Sequence, residues 1–113
     1  MKRVLVVDDE PVIRALVVAS LAADFKVSAA ADGRDALAAL QSERPDVVLL
    51  DVSLPGMSGA EVLRQIRADV GLCGVPVLLL TGLEPPADLE PDGVVLKPFT
   101  PTTLRASLTP WLN

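Results

Sequence analysis

The sequence predicts an α/β fold: a parallel sheet of five strands with helices on both faces. Three observations carry that expectation. Short runs of Val and Leu recur along the chain, each closed by an acid, a hydroxyl or a Gly or Pro pair. Between them lie segments whose apolar residues fall at helical spacing. Aromatic residues make up only 3% of the chain while half of it is apolar, so the core is aliphatic and suited to strands buried on both faces.

Arg3 to Val7 reads as the first buried strand, ended by Asp8-Asp9-Glu10-Pro11. Pro11 suits a first helical position, and Ile13, Leu16, Val17 and Leu21 continue a helix to about Ala23. Phe25 to Ala29 is a weak second strand, and Asp32-Gly33 is a turn signal. Ala36, Leu37 and Leu40 mark a short amphipathic helix ending near Arg44-Pro45. Val47 to Leu50 is the strongest strand and stops at Asp51; a loop over Leu54-Pro55-Gly56-Met57 follows. Ser58 and Glu61 have the spacing of a reciprocal capping box, ahead of a helix lined by Val62, Leu63 and Ile66. Val75 to Leu80 is a further strand, closed by Thr81-Gly82, and Val94 to Leu96 is the last, before Lys97-Pro98. Thr100 and Pro101 open a final helix, which Pro110 is expected to end early or bend.

The 113 residues suit one domain, and the whole of 1–113 is read as one, with no output domain after it. A net charge of −5 argues against a surface that neutralises nucleic-acid phosphates. The chain contains no histidine, which removes Ser–His and Cys–His nucleophile pairs and most zinc sites. Its single cysteine, Cys73, has no internal partner for a disulfide. No apolar stretch reaches the length of a membrane span, and a cytoplasmic location is expected.

In open parallel sheets ligands sit beyond the carboxyl ends of the strands. Those ends carry Asp8 and Asp9, Asp51, Thr81 and Lys97. Each has an ordinary explanation alone: helix capping, a turn, a β-branched strand residue, a solvated charge. Together they place three acids, a hydroxyl and an amine at one edge. Carboxylates about 4 Å apart repel by roughly 4 kcal/mol at an effective dielectric near 20. A divalent cation relieves that repulsion, and hard oxygen donors suit Mg²⁺. A carboxylate can also act as a nucleophile towards phosphorus, with lysine and hydroxyl stabilising the phosphoryl oxygens.

Four stretches resemble the receiver domains of bacterial response regulators: Val4 to Glu10, Val48 to Gly59, Leu78 to Gly82 and Val95 to Phe99. The resemblance spans essentially the full length. It implies the flavodoxin-like sheet order 2-1-3-4-5. It also implies that Asp51 is the phosphoacceptor, that Asp9 binds Mg²⁺ directly with Asp8 acting mainly through water, and that the Ser53 carbonyl is a further ligand. Thr81 and Lys97 would contact the phosphoryl group, with Lys97 pairing with Asp51 when it is free, and the Lys97–Pro98 bond would be cis. The implied partners are a histidine kinase or histidine phosphotransfer protein, as phosphoryl donor, and an unspecified protein target. Direct nucleic-acid or membrane binding is not expected.

Two positions depart from the family pattern. Val94 stands where many receivers carry an aromatic residue that rotates inward, so an aromatic switch is not expected. Twelve residues separate Thr81 from Val94, and Pro85, Pro86 and Pro91 are among them. The fourth helix is therefore expected to be a single turn or absent. The leading reading is a phosphoacceptor receiver that is not a conventional multiple-turnover enzyme. A degenerate receiver that only docks is the alternative. An aspartate-nucleophile phosphatase of the haloacid dehalogenase type fits less well, because Ser53 stands where such enzymes carry a second Asp.

Overall fold

The computed structural model describes residues 1–85 and 88–112, and the side chains of all of these but Leu112. Five strands, β1 (Arg3–Val7), β2 (Lys26–Ala30), β3 (Val47–Asp51), β4 (Val77–Thr81) and β5 (Gly93–Leu96), form one sheet in the order β2-β1-β3-β4-β5. Every neighbouring pair is parallel. Four helices, α1 (Pro11–Leu21), α2 (Gly33–Ser42), α3 (Gly59–Ala68) and α4 (Pro101–Leu112), complete the fold. This is the flavodoxin-like architecture.

Alternation along the strands divides the core. Val4, Val6, Val47, Leu49, Leu78 and Leu80 pack with Val17 and Leu21 of α1 and with Leu104 and Leu108 of α4. Leu5, Val7, Val48, Leu50, Val77 and Leu79 pack on the other face with Ala36 and Leu40 of α2 and with Val62 and Ile66 of α3. Each fully buried Val or Leu contributes about 1.5–3 kcal/mol. The central strands β1, β3 and β4 are buried along all their length but Arg3, so their carboxyl ends are firmly anchored.

Several local expectations are corrected. Asp32 is the N-cap of α2: its Oδ1 accepts from the Asp35 N–H at 2.8 Å, so the turn signal is a helix start. Strand β2 is displaced by one residue, because Phe25 packs instead against the core of the α1/α4 face. Ser58 caps α3 at the Glu61 N–H, 3.2 Å away. The Glu61 carboxylate does not reach back; it interacts with Arg64 and Gln65, so only half of the capping box forms. Pro110 does not end α4, which runs to Leu112 with Leu104 and Leu108 fully buried. Among the described residues no helix joins β4 to β5. The expected turn at Pro85-Pro86 falls partly on Pro86, which lies outside the described residues.

Candidate functional site

Asp51 is the last residue of β3 and is 5% exposed. Its Oδ1 accepts the Ser53 N–H at 3.0 Å, and its Oδ2 lies 3.5 Å from Lys97 Nζ. The sharp departure of the chain after Asp51 depends on Gly59, the first residue of α3. A Cβ there would run into the Asp51 carbonyl oxygen and lie 2.9 Å from the Val52 Cα. The Gly59 N–H donates to the Val52 carbonyl at 3.1 Å, which fixes the start of α3 against the end of β3.

Asp8 follows β1 and is fully buried. Both of its carboxylate oxygens are engaged. Oδ1 accepts from the Glu10 N–H at 2.9 Å, and Oδ2 accepts from Lys97 Nζ at 2.8 Å. The expected Lys97–Asp51 pair is thus present, but the shorter contact goes to Asp8. Asp9 and Glu10 are exposed, and carboxylate oxygens of Asp8, Asp9 and Glu10 lie within 4.8 Å of one another. That close acidic group is not the expected set of Asp8, Asp9 and Asp51. Lys97, reaching both Asp8 and Asp51, links those two through a cation.

Thr81 ends β4 and is 9% exposed. Its hydroxyl donates to the Leu83 carbonyl at 2.8 Å and accepts from the Leu83 N–H at 3.1 Å, so it is turned into its own loop. Lys97 follows β5, and the Lys97–Pro98 peptide bond is cis. Asp9, Asp51, Ser53, Thr81 and Lys97 line one open cavity of about 400 Å³, together with Glu10 and Leu83. Asp8 lies behind it, under Lys97.

Burial pushes the Asp51 carboxyl above its ordinary 3.8; the Ser53 N–H opposes this, the Asp8 charge adds to it and Lys97 opposes it. Burial works against the Lys97 ammonium, yet the hydrogen bond and charge of Asp8, with the charges of Asp51 and Glu10, outweigh it. Lys97 is raised above its ordinary 10.5. The site therefore holds a carboxylate with diminished affinity for its charge beside a lysine that stays firmly charged.

Three participants were not singled out from sequence. Glu10 was read only as an acid near a helix start. Arg14 donates to the Asp8 carbonyl at 2.8 Å, and nothing in its local pattern marks it. Gly59 had a signal in its place directly after a Ser helix cap, where a side chain is usually free to point outward.

The family model for the response regulator receiver domain matches residues 4–109. The chain belongs to this family. As a receiver of two-component response regulators it resembles whole regulators in one half of their length. It is 40% identical over 112 residues to the DNA-binding response regulator MtrA of Mycolicibacterium smegmatis, covering 93% of this chain and 48% of MtrA. It is 44% identical over 104 residues to the probable transcriptional regulatory protein TcrX of Mycobacterium tuberculosis, covering 86% of this chain and 44% of TcrX. The receiver thus spans about half the length of the curated relatives it matches. Among solved structures, Vibrio cholerae CheY4 superposes with a TM-score of 0.92 at 38% identity, covering 99% of both chains. Thermotoga maritima TrrA, in complex with Mg²⁺-BeF, superposes at 0.88 with 36% identity, covering 99% of this chain and all of TrrA. The receiver domain of the sensor histidine kinase PA1611 of Pseudomonas aeruginosa, with a magnesium ion in its active-site cleft, superposes at 0.89 with 29% identity, covering 97% of this chain and 96% of that one.

Receivers partner with histidine kinases. The expectation of no nucleic-acid partner drew only on the charge of these 113 residues; a relative named as DNA-binding extends over twice the matched length, which leaves that expectation unsupported for a whole regulator. Among the described residues no helix is long and apolar enough to cross a membrane.

Proposed function

We propose that Asp51 accepts a phosphoryl group from a phosphohistidine on a partner histidine kinase or histidine phosphotransfer protein. An Asp51 carboxylate oxygen attacks phosphorus, the P–N bond breaks, and the imidazole leaves. The chain has no histidine, so the donor is external. The observation that carries this reading is a buried carboxylate at a strand end, opening on a polar cavity and 3.5 Å from a lysine amine.

Asp9, Asp51 and Ser53 line the cavity, and two carboxylates with the main-chain carbonyl of Ser53 would suit a hard cation. Bound Mg²⁺ would offset the charge of the carboxylates and the incoming phosphoryl oxygens. Lys97, held ready on Asp8, provides a fixed positive charge for the same oxygens. The Thr81 hydroxyl, which now donates to the Leu83 carbonyl, would donate to a phosphoryl oxygen instead. The receiver turns over its own acyl phosphate and is not a conventional multiple-turnover enzyme. Its output is altered binding of a protein target in the cytoplasm.

The test is chemical. After incubation with acetyl phosphate and Mg²⁺, borohydride reduction converts an acyl phosphate to homoserine. Conversion at Asp51 alone supports the assignment; conversion at another acid, or none, refutes it. Sustained hydrolysis of varied phosphomonoesters would point to a phosphatase instead.

A further inference from the structure

Resting on that reading, we propose that Arg14 is a positioning residue for the cation site: through the Asp8 carbonyl it fixes the peptide that leads to Asp9, and so holds the Asp9 carboxylate at the cavity. One Nη of the Arg14 guanidinium donates to the Asp8 carbonyl oxygen at 2.8 Å. Among the described residues no main-chain N–H reaches that oxygen. The Asp8 N–H donates to the Ala30 carbonyl at 3.1 Å, so β2 secures one side of Asp8 and Arg14 the other. A peptide unit is planar, and a fixed carbonyl therefore fixes the plane that carries the Asp9 Cα. Asp9 depends on this support. Its side chain is exposed, and among the described residues its carboxylate takes part in no hydrogen bond or ion pair. Its place in the cavity beside Asp51 and Ser53 is thus set by its main chain.

Neither the position nor the partner of Arg14 is that of an ordinary surface charge. It is the single charged residue of α1 and sits in the first turn, where the helix dipole disfavours a cation. The carboxylates of Asp8, Asp9 and Glu10 lie close together just before that helix. Among the described residues Arg14 forms an ion pair with none of them; its half-buried side chain bonds a main-chain carbonyl instead. An arginine seated on the Asp9 carboxylate would compete with a cation for the same oxygens. Seated on the carbonyl, it orders the turn and leaves those oxygens free.

The charge of Arg14 and its positioning act with opposite sign. Loss of a positive charge beside the site would strengthen cation binding; loss of the bond that places Asp9 would weaken it. The experiment is a Mg²⁺ titration of the full chain by calorimetry at fixed ionic strength, in wild type, Arg14→Met and Arg14→Lys, with the rate of labelling by acetyl phosphate followed against Mg²⁺ concentration. Met fills the space without charge or donor, while Lys keeps both. Arg14→Met is expected to bind Mg²⁺ roughly tenfold more weakly, the scale seen when a group orienting a metal ligand is removed. Its labelling rate at saturating Mg²⁺ is expected to stay within about twofold of wild type, because Arg14 touches no reacting atom. Arg14→Lys is expected to recover most of the lost affinity. Unchanged or tighter Mg²⁺ binding in Arg14→Met overturns the proposal, as does an Arg14→Lys variant that binds no better than Arg14→Met. Melting in EDTA separates a purely structural role: a lower melting temperature with wild-type Mg²⁺ affinity also overturns it. Failure of wild type to bind Mg²⁺ saturably would instead overturn the site reading on which the proposal rests.

Discussion

Lys97 donates to the fully buried Asp8 at 2.8 Å and lies 3.5 Å from Asp51, so one amine neutralises two strand ends. Lys97→Met leaves Asp8 as an uncompensated buried charge. Breaking such a pair from one side costs about 3–5 kcal/mol, and the partial exposure of Lys97 places this case at the lower end. Urea unfolding in EDTA is expected to show a loss of roughly 3 kcal/mol; a loss below about 1 kcal/mol would mean that the pair is not structural. Asp51 behaves oppositely. Its folded carboxyl is raised above 3.8, so the native state binds the extra proton and stability falls as pH rises through that window. Asp51→Asn removes the penalty. In metal-free buffer it is expected to melt higher than wild type at pH 7, with the difference closing as pH falls below the ordinary carboxylate range. A wild type more stable than Asp51→Asn at pH 7 would contradict this. Gly59→Ala drives a Cβ into the Asp51 carbonyl and should cost about 2–3 kcal/mol by overpacking, with Asp51 displaced. A neutral substitution would show that α3 does not fix the position of Asp51.

The elements were legible wherever hydrophobic pattern and burial agree. Val47 to Leu50 reads as a fully buried strand because every residue is apolar, and β3 is buried throughout. The second strand was weaker because β2 lies at the sheet edge, with an exposed residue at Lys26, and its start is set by packing of Phe25 that no local pattern shows. Pro110 misled for a related reason. The bond it cannot donate lies near the helix end, while Leu104 and Leu108 hold the preceding turns against the sheet. The charged strand ends were found, but not which acid Lys97 prefers, since that depends on burial of Asp8 rather than on spacing. Among the described residues no helix lies between β4 and β5, as the prolines predict, and the neighbouring apolar residues are exposed. Val94 and Leu96 are 39% and 58% exposed, and Leu83 is 79% exposed. With Val94 in place of an aromatic ring, the phosphoryl group's effect should pass through Thr81 to Leu83 and stop there. Amide shifts on adding beryllofluoride are expected around Pro55 to Ser58 and Gly82 to Glu90. Large shifts across β5 and α4, or a dimer formed through that face, would contradict this.

At the scale of the whole molecule, five strands placed by an aliphatic core deliver one site, and its charge sets its response to cations. A ligand that binds only the native state stabilises by mass action, about 2.7 kcal/mol at one hundred times its dissociation constant. Mg²⁺ in the millimolar range is therefore expected to raise the melting temperature of wild type, and to do so less in Asp9→Ala than in Asp8→Ala once each is referred to its own value in EDTA. The central claim is that this receiver takes phosphate on Asp51 with help from a divalent cation. It is tested most directly by intact-mass measurement after incubation with phosphoramidate, a small donor with a P–N bond. Addition of one phosphoryl group to wild type in Mg²⁺, none in EDTA and none to Asp51→Asn is the result expected; stoichiometric addition to Asp51→Asn, or none to wild type with Mg²⁺ present, would contradict the account.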